Sequence, residues 1–314
     1  MNEIVLHHYA GSPFSEKVRL VLGMKQLRWR SVDVPVMLPK PDVVALTGGY
    51  RRTPFMQIGA DVYCDSALMC RVIDRLAPEP PLYPEATRGI DEIVAQWADT
   101  SLFWSAIPFT MQPAGAPSLL PEATPEYLRA FSADRAAMNP SMRRAPLADA
   151  AAVVSAYAGR LESMLGDSRP FLLGALPSIA DFSAAQSIWF IRRAPPVARH
   201  LEPFARVIAW YERVAAFGHG HPEPLSSAAA LELARAAAGF APCAVASGAA
   251  MTTGTPVGVV AADYAHDEVA GALVGLDDHE VVVERHDDRA GTVRVHFPRI
   301  GYHVKAIGAK KEHA

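Results

Sequence analysis

Cysteine is scarce in this chain of 314 residues: there are three, Cys64, Cys70 and Cys243, an odd and unpatterned set. That excludes a disulfide framework and fits a reducing, cytoplasmic compartment. Long apolar runs are missing too. No uninterrupted stretch approaches the roughly 20 residues that cross a bilayer, so no membrane partner is expected. Neither sign of charge dominates, and a formal net charge of -3 leaves no electrostatic footprint for nucleic acid or an acidic membrane. Glu3 stands where a basic leader would begin, so no signal peptide is expected. No internal repeat or low-complexity tract is present. Histidines are plentiful, but none has convincing ligand spacing. His219 and His221 come nearest, in a Gly/Pro loop, and they are better read as solvated or packed side chains. No metal is expected.

What the chain does have is a half-hydrophobic, one-fifth-charged composition and the length of two or three domains. Three textures divide it. Residues 1–78 mix strand and helix patterns in the order β-α-β, then β-β-α, which points to a small mixed sheet backed by helices. Val18, Val21 and Leu22 mark one apolar helix face, and Leu68, Val72 and Leu76 another. A proline-rich connector, "APEPPLYPEATRG", cannot be regular structure. Residues 86–239 are dominated by helix formers, with "MQPAGAPSLLPEATPEY" as a loop or broken helix. A last helix, "SSAAALELARAAAG", has Ser226 or Ser227 as cap and Gly239 as stop. Residues 251–308 hold five strand candidates separated by Asp- and Gly-rich turns, the pattern of a small β-barrel or sandwich. In "TVRVHF", Val293, Val295 and Phe297 face one way, Arg294 and His296 the other. The Gly/Ala/Thr-rich segment before this region marks it as a separable domain.

Four short motifs carry chemistry or its scaffold. In "YAGSPFSEKVRLVLG", Ser12 sits at a helix N-terminus, where free N–H groups and the helix dipole favour negative charge, and Pro13 starts the helix. An ordinary N-cap explains Ser12 equally well. In "RRTPFMQI", Pro54 leads into a strand and implies an edge, a turn or a cis bond. A cis bond would turn the backbone of Thr53 toward an extended peptide. In "CDSALMCRVID", Asp65 and Ser66 offer a carboxylate, a hydroxyl and free N–H groups at one helix start, again a pattern that capping alone explains. Finally, Ser178 three residues before Asp181 has capping-box spacing at the head of an apolar helix, a structural feature without catalysis.

In this order and spacing the motifs resemble those of the cytosolic glutathione S-transferase superfamily over about residues 4–238. The resemblance implies a thioredoxin-like N-terminal domain and an all-α domain, here followed by a small all-β domain. It also implies a cytoplasmic homodimer that takes glutathione as co-substrate in detoxification. By the same resemblance Ser12 contacts the glutathione sulfur, as in the serine-type classes. Thr53, before cis Pro54, pairs its backbone with the cysteinyl moiety. Asp65 and Ser66 hold the γ-glutamyl end, while Arg52 and Lys40 match positions that contact the glycine carboxylate. Asp65 stands where many relatives have Glu or Gln, and Thr53 where Val is usual.

The chemistry turns on serine standing at both 12 and 15. Cysteine at 12 would give a thiol transferase, and cysteines at both a dithiol redox pair. A serine forms no mixed disulfide, but its hydroxyl stabilises a bound thiolate. The expected activity is therefore addition of the glutathione thiol to small hydrophobic electrophiles. Phe14, Phe103, Trp104, Phe109 and Met111 are candidates for the apolar wall. Tyr9 and Ser15 are rival hydroxyls. Two other functions fit the same motifs: a glutathione-dependent cis-trans isomerase of the maleylacetoacetate type, and a non-catalytic scaffold acting through its β domain.

Overall fold

The computed structural model describes residues 3–138 and 146–308. The N-terminal unit runs β1 (Val5–His8), α1 (Pro13–Met24), β2 (Arg28–Asp33), α2 (Pro41–Thr47), β3 (Phe55–Ile58), β4 (Asp61–Cys64) and α3 (Ser66–Leu76). Strand β1 pairs parallel with β2 and antiparallel with β3, and the β3–β4 hairpin completes a thioredoxin-like sheet. The apolar spacing of α1 buries Val18, Val21 and Leu22 completely. On α3, Leu68 and Val72 are buried as expected, but Leu76 ends the helix 54 % exposed.

The helical unit begins with α4 (Arg88–Trp97), continues through a π-type turn at Ala98–Leu102 and enters α5 (Phe103–Thr110). Short α6 (Ala116–Leu119) follows, then α7 (Pro125–Met138), α8 (Leu147–Met164), α9 (Ile179–Arg192), α10 (Pro195–Ala198) and α11 (Ala205–Ala215). Helix α7 was not legible as a helix, because only Met138 along it is buried and no apolar stripe marks it. Helix α9 lies at the centre, and its capping box forms as the spacing predicts. Asp181 also accepts hydrogen bonds from the Leu172 amide (2.8 Å) and the Trp210 indole (2.7 Å). One buried carboxylate thus ties the α9 start to the preceding loop and to α11.

Strand β5 (His221–Pro224) adds to β2, so the histidine- and proline-rich loop is a short edge strand, and α12 (Ser227–Arg235) follows with Ser226 as its cap. The helix stops at Ala236, before Gly239, whose freedom is not what ends it.

The five C-terminal strands appear where the alternation placed them: β6 (Pro256–Ala261), β7 (Val269–Leu276), β8 (Glu280–Asp287), β9 (Gly291–Pro298) and β10 (Tyr302–Ala306). They form an antiparallel meander, yet they are not closed off as a separate barrel or sandwich. Among the described residues no ladder joins β10 to β9. Instead β9 pairs parallel with β4, matching Asp61 with Arg294, Val62 with Val295 and Tyr63 with His296. The result is one ten-stranded sheet in the order β10-β6-β7-β8-β9-β4-β3-β1-β2-β5. His296 is therefore buried like its apolar neighbours. Its ring nitrogens bond Asp61 (2.8 Å) and Glu280, and these bonds outweigh the cost of burial and raise its pKa. A second clasp uses α2. Gly48, left-handed at φ 78° as the α2 cap, leaves room for Arg285, which donates to the Ala45 carbonyl (2.6 Å).

The two parts also share a core. Val5, Val32, Phe55 and Val62 pack in one apolar cluster with Val257, Val283, Val295 and Phe297. Each fully buried side chain of this kind contributes about 1.5–3 kcal/mol. Uncovering about half a dozen cancels the roughly 5–15 kcal/mol net stability of a typical domain. The separability expected from composition meets this physical obstacle. Truncation after Gly239 should give an aggregating or non-cooperatively melting fragment. A soluble fragment with one sharp thermal transition would show that the meander is dispensable.

Candidate thiol-activating site

Ser12 is the N-cap of α1, with φ -81° and ψ 124°. Its hydroxyl accepts the Ser15 N–H (3.2 Å) and donates to the Thr53 carbonyl (3.4 Å), while the residue is only 2 % exposed. The same oxygen therefore bridges the positive end of α1 and the Thr53–Pro54 peptide, which is cis. Ser15 is fully buried inside the first turn of α1 and faces away from any open surface. Tyr9 is half-buried, and burial raises its phenol pKa, so it holds its proton more firmly than an exposed tyrosine.

Asp65 caps α3 from the left-handed region (φ 77°), accepting the Ala67 N–H at 2.9 Å. The Ser66 hydroxyl, buried beneath it, accepts from Lys17 Nζ (3.4 Å). Lys17 is a residue the sequence did not single out. It lies fully buried on α1 and forms a 2.5 Å ion pair with Asp99, which also accepts from Gln186 (2.7 Å). This pair locks α1 and the start of α3 to the helical unit. Unpaired, either charge would be expensive to bury.

Lys40 is buried and donates to the Arg51 carbonyl and the Thr53 hydroxyl, both at 3.2 Å. Burial, together with the like charges of Arg135 and Arg51, lowers its pKa to about 8. Arg52 follows a different course. It is 8 % exposed and engaged by the turn between β6 and β7, through an ion pair with Asp263 (2.5 Å) and a hydrogen bond to the Tyr264 carbonyl. The Tyr264 ring centroid lies 3.8 Å from the guanidinium. Tyr302, on β10, donates to Asp65 (3.2 Å). Hydrogen bonds thus join Ser12, Lys40 and the Thr53–Pro54 peptide, while Asp65 and Ser66 stand together at the α3 start and Arg52 is turned to the C-terminal meander.

The proposed apolar wall divides. Phe14, Phe103 and Trp104 form a row, with ring centroids 4.5 and 5.0 Å apart, and Tyr264 continues it at 5.0 Å from Trp104. Phe109 packs against His200 instead (5.0 Å), beside a separate cleft of about 660 Å³, and Met111 rests on the helical core. A larger cleft of about 1560 Å³ lies where β4 meets the meander, lined by Asp61, Cys243 and His296. Neither cleft is lined by Ser12, Thr53 or Asp65. Besides Lys17, sequence reasoning missed the site-contacting Asp263, Tyr264 and Tyr302. The only trace of Asp263 and Tyr264 was an aromatic beside an acid in one of the Asp-rich turns; Tyr302 left none.

Residues 6–81 match the profile described as the glutathione S-transferase N-terminal domain, and residues 143–213 that of the C-terminal domain. A GST-like protein from Pseudomonas syringae is 38 % identical, with a TM-score of 0.81 and coverage of 98 % of this chain and 100 % of that one. A glutathione S-transferase from Rhodospirillum rubrum F11 is 20 % identical (TM-score 0.52), covering 68 % of this chain and 88 % of its own. Glutathione S-transferase III is 19 % identical (TM-score 0.53), with 76 % and 99 % covered. These last two establish fold alone. No curated protein matches the chain. The Pseudomonas coverage includes the C-terminal strands, so the added meander is common to both chains.

The Lys40 environment gives a direct test. The sequence holds six lysines, so side-chain NMR resonances can be followed singly. One should titrate near pH 8 and be missing from Lys40→Met. Six lysines all titrating near the ordinary value of about 10.4 would contradict the burial described.

Proposed function

The chain belongs to the glutathione S-transferase superfamily, and from that premise we propose that it uses Ser12 to activate the glutathione thiol for addition to small hydrophobic electrophiles. The observation that carries this reading is the Ser12 hydroxyl held at the α1 N-terminus, whose single proton, on the Thr53 carbonyl at 3.4 Å, would turn to the sulfur of a bound thiolate. A free thiol has a pKa of about 8.5, so little of it is ionised at neutral pH. A hydroxyl donor and the helix N-terminus both favour the thiolate, each pKa unit being worth about 1.36 kcal/mol. The residue itself stays unreactive toward disulfides. In this reading the thiolate lies against Ser12, and the electrophile against the Phe14–Phe103–Trp104 row.

Thr53, Pro54, Asp65, Ser66 and Lys40 would hold the rest of glutathione, as the resemblance assigns. Of the two carboxylate-binding cations, Lys40 is the one free of an ion pair among the described residues. A cytoplasmic homodimer belongs to the same reading. Ile90 and Ile93 on α4, 52 % and 68 % exposed, support the dimer. A non-catalytic scaffold is the second reading, favoured by the burial of Ser12 and by the C-terminal residues lying on Arg52 and Asp65.

Ser12→Ala should reduce conjugation about 10- to 150-fold, the worth of a charge-assisted hydrogen bond of roughly 1.5–3 kcal/mol. Its pH–rate profile should move upward as the bound thiol becomes harder to ionise. Loss of the cap costs about 0.5–2 kcal/mol of stability, so thermal unfolding is measured alongside. Ser12→Cys should accumulate a mixed disulfide with glutathione, seen as a mass increase. Intact conjugation in Ser12→Ala together with its loss in Tyr9→Phe would move the role to Tyr9. Saturable glutathione binding without turnover in the unmodified protein would establish the scaffold.

A further inference from the structure

The turn between β6 and β7, residues 262–268, reaches across the sheet to the candidate thiol site. Asp263 places one carboxylate oxygen 2.5 Å from Arg52 Nη2 and the other 3.4 Å from Nη1. The Tyr264 carbonyl takes a further bond from Nη2, and its ring covers the guanidinium face and abuts Trp104. The turn is anchored just beyond this contact. Asp267 pairs with Arg51 (3.1 Å), and the Ala265 amide donates to the Met138 carbonyl (2.6 Å).

Asp263 takes the Nη1 and Nη2 donors of Arg52, so a second carboxylate cannot use that edge of the fork while Asp263 holds it. The group now on Arg52 is a carboxylate, the same chemical group that the resemblance assigns to Arg52 at the glycine end of glutathione. We propose that Asp263 competes in cis with the glycine carboxylate of glutathione for Arg52, with Tyr264 as its cover. The C-terminal meander thereby sets which thiol the site accepts and how tightly. This rests on the glutathione reading above. A tethered carboxylate acts at an effective concentration in the millimolar range, so it weakens a free competitor without abolishing it. The asymmetry in exposure makes exchange feasible: the Arg52 side chain is 8 % exposed, whereas that of Asp263 is 46 % exposed. A displaced Asp263 enters water, and Arg52 keeps a carboxylate partner throughout.

Calorimetric titration of the full chain with glutathione and with γ-glutamylcysteine, which lacks the glycine, separates the possibilities. Asp263→Asn should tighten glutathione about tenfold, a lower value for one charge-assisted contact, and leave γ-glutamylcysteine unchanged. Asp267→Asn, in the same turn but on Arg51, should change neither. An unchanged glutathione affinity in Asp263→Asn overturns the competition while leaving the glutathione reading in place. So does an equal gain for both thiols, or the same gain in Asp267→Asn, since each reports general loosening or charge. Absence of binding by either thiol to any of the proteins overturns the glutathione reading itself.

Discussion

The parallel ladder between β4 and β9 is the contact on which the rest of the molecule depends. Strand β4 ends the thioredoxin-like sheet, and without β9 it would present a row of unpaired N–H and C=O groups. The ladder is short, so side chains reinforce it. Asp61 bonds His296 and the Ala241 amide (2.7 Å), and His296 in turn bonds Glu280. One imidazole ring between two carboxylates thus ties β4, the connector, β8 and β9 at a single buried point. The far edge of the meander reaches back to the residues just before β3 and just after β4. That places Tyr264 on Arg52 and Tyr302 on Asp65.

The same economy governs the junction of the sheet with the helices. Lys17 is buried against the partly buried Asp99, whose remaining oxygen is satisfied by Gln186. Asp181 collects donors from three parts of the helical unit. These polar contacts specify geometry more than they add net stability, since desolvation offsets much of their attraction. Their effect is to hold α1, and hence Ser12, in one position relative to the cis Thr53–Pro54 peptide. In the function proposed, that hydroxyl stabilises a thiolate and is never itself transformed.

Much of this was legible in the sequence where a local rule decides the outcome. Ser12-Pro13, Asp65-Ser66 and Ser178 with Asp181 are caps, and caps depend on neighbours only three residues away. Alternation placed all five C-terminal strands for the same reason. Alternation is silent, however, about which edge a strand joins. The β4–β9 pairing spans more than two hundred residues, and only the burial of His296 on the supposedly polar face betrays it. Helix α7 escaped because it has almost no buried side, and Lys17 because a lysine in an amphipathic helix reads as solvent-facing until its acid partner is known. The capture of Arg52 by Asp263 likewise joins two turns with no local signal between them.

Native-state amide hydrogen exchange tests the central claim, that the meander and the thioredoxin-like sheet are one cooperative body. The amides of β9 and those of β3 and β4 should exchange through openings of equal free energy and show the same dependence on denaturant. If β6–β10 instead open together at distinctly lower free energy while β1, β3 and β4 stay protected, the meander is an independent unit and the account is wrong.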